Sequence, residues 1–81
     1  MEYSNLNGNS NVRLYYIGDD NIRVVFKNNR RIYKYSYSSA GVHHVEEMKK
    51  LAKIGHGLNS YINLNCKMLY DKNYVEDEND N

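Results

Sequence analysis

The chain has 81 residues, a formal net charge of +1, 41% hydrophobic residues and one cysteine. That length supports one hydrophobic core and not two, no apolar run reaches the roughly 18 residues that a membrane helix needs, and a lone Cys66 cannot close an internal disulfide. These features exclude a disulfide-stapled or membrane-spanning protein, and Met1-Glu2-Tyr3-Ser4-Asn5 has neither the basic cluster nor the apolar stretch of a signal peptide, so a cytoplasmic domain is expected.

Residues 1–11, MEYSNLNGNSN, are polar and without periodicity, which predicts a flexible leader. Val12 to Ile17 and Asn21 to Lys27 are rich in β-branched and aromatic residues and predict two strands. Gly18-Asp19-Asp20 is the turn between them. A third strand is expected up to Tyr37, after an Asn28-Asn29 pair that tolerates positive φ and suits a hairpin loop. Ser38-Ser39-Ala40-Gly41 then breaks the strand, and Val42, Val45, Met48, Leu51 and Ala52 recur at helical spacing. Gly55 suits a left-handed C-cap. A second helix is expected from an Asn59 N-cap, with Tyr61, Ile62, Leu64, Cys66, Met68, Leu69 and Tyr70 as its apolar stripe. The fold class is α+β, a three-stranded antiparallel meander covered on one face by two helices, in the order β-β-β-α-α. The single domain runs over 12–72, and 73–81 is an acidic disordered tail.

Charge is divided along the chain. Residues 13–70 carry about +6, whereas 71–81, DKNYVEDENDN, carry about −4. Such blocks mark a basic working surface and a solvated acidic tail. The tail either serves solubility alone or competes with an anionic ligand for the basic surface.

Alternation across a two-residue Asn28-Asn29 loop sends Ile22, Val24, Phe26, Tyr33 and Tyr35 to one side as the core under the helices. Arg23, Val25, Lys27, Arg30, Ile32 and Lys34 go to the other. Depending on the register of the first strand, Leu14 and Tyr16 join them. Arg23, Lys27, Arg30, Arg31 and Lys34 are the candidate phosphate contacts, with Tyr16 to stack on a base. Lys53 and His56, beside free backbone N–H groups at the helix junction, are a possible second anion site. Val25, Ile32 and Leu14 make an apolar stripe that equally suits a protein interface or a homodimer.

His43, His44, His56 and Cys66 lack the spacing of a zinc site, and no cofactor is implied. No nucleophile elbow, Walker loop or dinucleotide fingerprint is present, so no enzyme activity is expected.

Ile22-x-Val24-x-Phe26, Tyr33-x-Tyr35 and Leu51-Ala52-x-x-Gly55-x-x-Leu58-Asn59-x-x-Ile62 resemble the KTSC family. This small domain occurs at the C-terminus of some lysyl-tRNA synthetases and as stand-alone proteins of bacteria and phages. The chain departs from the family pattern at Tyr37-Ser38, where Val-Pro is usual, and at Lys53, where serine is usual. The resemblance implies a small α+β domain with RNA binding as its role.

Two functions are therefore expected in parallel. One is a non-catalytic module binding RNA, single-stranded nucleic acid or a small nucleotide. The other is a protein-binding module, such as a phage-encoded inhibitor of a host defence or regulatory protein. The abundance of Tyr and Asn, with no proline or tryptophan, is what AT-rich codons produce, which points to a low-GC bacterium or its phage.

Overall fold

The computed structural model describes residues 1–4 and 11–78. Strands β1 (Val12–Ile17), β2 (Asn21–Phe26) and β3 (Arg31–Ser36) form an antiparallel meander. The β1–β2 turn closes through a bond from Gly18 N–H to the Asn21 carbonyl, 2.9 Å long. In the next turn Asn28 takes φ 61°, a left-handed conformation that asparagine tolerates better than most residues. Asn29 Oδ1 accepts from Arg31 N–H at 2.9 Å and holds the turn.

The β2–β3 register is the one that alternation predicts. Ile22 lies opposite Tyr35, Arg23 opposite Lys34, Val24 opposite Tyr33 and Val25 opposite Ile32. In β1, Leu14, Tyr15 and Tyr16 face Val25, Val24 and Arg23, but Val12 pairs with Phe26. Arg13 is thus an extra residue, a bulge that lets Val12 and Tyr15 both reach the core although they are three positions apart.

The helical cover begins earlier than the sequence suggests. Ser36 caps a single turn, α1 (Tyr37–Ala40), through a reciprocal capping box with Ser39. Helix α2 (Val42–Ile54) buries Val45, Met48 and Ala52 and ends at Gly55, whose φ of 81° is the expected left-handed cap. Val42, expected on that buried stripe, is exposed. Lys49 is 91% buried, its relative exposure being 9%. Its Nζ donates to the Asp19 carbonyl at 2.9 Å and pairs with Glu46 at 3.0 Å, tying α2 to the β1–β2 turn.

The second helix differs from expectation. Gly57 rather than Asn59 is its N-cap; α3 (Leu58–Tyr61) follows and passes into a π-helical segment, Ile62–Cys66. Leu58, Ile62 and Cys66, four residues apart on one side, are buried, while Leu64 and Met68 are exposed. These helices cover one face of the sheet and meet Ile22, Val24 and Tyr35 in the core.

Residues 1–3 and 76–78 join the sheet, within the segments expected as a leader over 1–11 and a disordered tail over 73–81. The Met1 amino group donates to the Tyr15 carbonyl at 2.9 Å, Tyr15 N–H returns to the Met1 carbonyl at 2.8 Å, and Glu2 bridges Leu14. Tyr3 is buried, and its hydroxyl accepts from Leu58 N–H at 3.2 Å. On the opposite edge β4 (Glu76–Asp77) pairs with Ile32 and Arg31, giving the order β1-β2-β3-β4. Unpaired edge groups and an aromatic ring are enough to draw such polar segments in. The remainder of the two segments, 5–10 and 79–81, lies outside the described residues.

Candidate functional site

The β2–β3 register puts Arg23 beside Lys34 on the face turned away from the helices, and β1 adds Tyr16 and Leu14. Arg23 lies over the Tyr16 ring, 5.2 Å from its centroid, a cation–π contact that fixes the two side chains against each other. Tyr16, Arg23 and Lys53 line one shallow cavity of about 360 Å³, with Met1, Tyr15 and Ile17. Lys53 therefore joins the rim of the sheet site instead of making a separate one. His56 stays exposed between Gly55 and Gly57. The anion site expected beside it lacks one donor, because Leu58 N–H is already bonded to Tyr3.

At the other end of the face Lys27 and Arg30 stand exposed at the β2–β3 turn. The Arg13 bulge brings a further guanidinium to this end, and the Glu78 carboxylate takes it as an ion pair. Glu78 N–H also donates to the Arg30 carbonyl. The segment following Tyr70 runs along β3, where Lys34 Nζ sits 5.1 Å from the centroid of the Tyr74 ring. An acidic strap thus lies along the margin of the basic face.

The apolar stripe is not open. Val25 is 0% and Ile32 6% exposed, and Leu14 is half-buried. Leu14 and Ile32 flank Val25 across the strands, so the open stripe expected from the sequence is not present. Arg31 departs from the other candidate cations. Its parity matches Tyr33, and its guanidinium lies 5.0 Å from the Tyr33 centroid and 5.4 Å from that of Tyr70, on the helix side.

That helix side holds a groove of about 430 Å³ between the β2–β3 turn and the end of the π-helical segment. Sequence reasoning missed it, as it missed Arg13 and Tyr74. The spacing of Tyr74, Glu76 and Glu78 two apart was the available signal for a strand with one face on the basic residues.

His44 Nδ1 lies 2.7 Å from the Tyr61 hydroxyl, and no cluster of three or more metal-ligating side chains occurs among the described residues. Burial pushes the Cys66 thiol up, the opposite of what an activated nucleophile needs. The Tyr37 hydroxyl donates to Glu46 at 2.5 Å, which with Lys49 holds that carboxyl below its usual range. These contacts serve packing around α2. No described helix is long and apolar enough to cross a membrane. Comparison of the chain with protein-family models, with curated proteins and with solved structures found no match.

Proposed function

We propose that the chain is a non-catalytic binding module that holds single-stranded nucleic acid on its basic sheet face. Arg23, Lys34 and Lys53 would contact phosphate at one end, Lys27, Arg30 and Arg13 at the other, with Tyr16 stacking on a base. The observation that carries this reading is the Glu78 carboxylate paired with Arg13 at the margin of that face. A surface that takes its own carboxylate is built for anions, and an aromatic ring beside paired cations suits a strand of phosphates and bases. The acidic strap then acts as an internal competitor for incoming phosphate.

Fluorescence anisotropy of labelled single-stranded RNA at two salt concentrations tests the proposal. Binding that weakens steeply with salt is expected. Replacing Arg23, Lys27 and Arg30 by Gln should flatten the log–log salt slope by about 2, at roughly 0.7 for each phosphate no longer neutralised. No binding at low salt overturns it.

A second reading has its own support. Leu64 and Met68 are 83% and 60% exposed, four residues apart on the helical layer, where a protein partner would dock. A phage-encoded inhibitor of a host protein would use that surface. Loss of partner binding in Leu64→Ser, with RNA binding unchanged, would favour it.

A further inference from the structure

The groove on the helix side carries charge and chemistry of one kind. Phe26, Tyr33 and Tyr70 supply aromatic surface, meeting edge-to-face with centroids 5.6 and 5.1 Å apart. None of these contacts is a parallel stack, and all three rings are half-buried and line the cavity. Asn28, Asn29 and Asn63 line the wall; the Asn29 amide is engaged with Arg31 N–H and the Tyr33 hydroxyl, which leaves Asn28 and Asn63 as the amides that can both donate and accept. Among the described residues Lys27 and Lys67 are the charged ones lining the cavity, and none of the lining residues carries a carboxylate. Behind the wall, Arg31 and Lys72 lie over the Tyr70 ring at 5.4 and 4.6 Å. Arg31 Nε is buried without a hydrogen-bond partner among the described residues. A volume of about 430 Å³ falls in the range of small-ligand pockets.

We infer that this groove is a nucleotide pocket, with the base against Phe26, Tyr33 and Tyr70, its edge read by asparagine amides, and its phosphate held by Lys67 and Lys27. Aromatic surface alone would suit any apolar guest, but an all-cationic rim selects an anionic one. Amides that both donate and accept match the mixed edge of a nucleobase. Lys27 stands at the corner between the groove and the basic sheet face, so one strand can pass from the face into the groove. The inference rests on the proposed nucleic-acid reading for that strand as the source of the nucleotide; a free mononucleotide is the other source of the same chemistry.

The test is a titration of the full chain with adenosine monophosphate, inorganic phosphate and adenosine, followed by backbone amide NMR shifts. Adenosine monophosphate should move the Asn29, Asn63 and Lys67 amides, and Lys67→Glu should weaken it by about tenfold. Lys67 and Asn63 are exposed, so this variant keeps the fold, which circular dichroism verifies. Inorganic phosphate binding as tightly as the nucleotide would overturn the inference, since the rings would then contribute nothing. Shifts confined to Arg23 and Lys34 would overturn it while leaving the sheet-face proposal standing. Groove shifts in a protein that binds no RNA would do the reverse and assign the pocket to free mononucleotide. Weaker RNA binding by Lys67→Glu would support the inference with a strand as the source.

Discussion

The two faces of the sheet hide their aliphatic residues by different means. On one, Ile22, Val24 and Tyr35 lie under Val45, Met48, Leu58 and Ile62, and exposing them means unfolding the protein. On the other, Val25 and Ile32 are also buried, at 0% and 6% exposure, but they are not part of that core cluster. Their neighbours are Leu14, long cationic side chains and the strap that pairs Glu78 with Arg13. The first closure is a hydrophobic core. The second lies on the face that carries Arg23 and Lys34, which the proposed function assigns to an anionic ligand.

Ile22→Ala should cost about 2–5 kcal/mol in urea unfolding, because a fully enclosed cavity remains. Ile32→Ala should fall at the low end of that range, since flexible side chains can settle into the space. Equal destabilisation would mean that both faces are packed as cores.

Truncation after Val75 removes β4 and Glu78 and should raise affinity for single-stranded RNA by about tenfold, the worth of roughly one charge-assisted hydrogen bond. Unchanged affinity would show that the strap does not compete for the basic face.

The pH dependence sharpens the contrast from the core side. Burial raises both Tyr35 and Cys66, so the folded state holds these protons more tightly than the unfolded chain does. Their contribution is complete below the values at which free thiols and phenols ionise, about 8.5 and about 10, and is lost as pH rises past them. Thermal unfolding followed from neutral to alkaline pH should show the decline, and Cys66→Ala should lessen its earlier part. Glu78→Gln should have the smallest effect, about 0–1 kcal/mol and less at high salt, because the ion pair with Arg13 is partly exposed.

Much of the sheet could be read from the chain because strand alternation is a local property. Val24, Phe26, Tyr33 and Tyr35 could share a face in only one register once the Asn28-Asn29 turn was placed. The helix cap at Gly55 was equally local. Longer-range effects were not legible. The bulge at Arg13 leaves the alternation intact on either side of it, so nothing marks the extra residue. Tyr3 and Glu76–Asp77 lie in polar segments whose place is set by distant edge groups. Leu64 and Met68 face outward because the buried line runs through Leu58, Ile62 and Cys66. At the candidate site, Arg23, Lys34 and Tyr16 came together as alternation required, whereas Arg31 went to the helix side by its own parity.

The placement of residues 1–3 on the β1 edge and of β4 on the β3 edge also sets how the molecule bears a load. Strands about 4.8 Å apart put these two segments roughly 19 Å from one another across the sheet. Tension applied through Met1 and Glu78 therefore acts across the strands and opens the outer hydrogen bonds one after another. The β4 edge should therefore peel first, whereas residues 1–3 are held back by Tyr3, which is part of the core and bonded to Leu58.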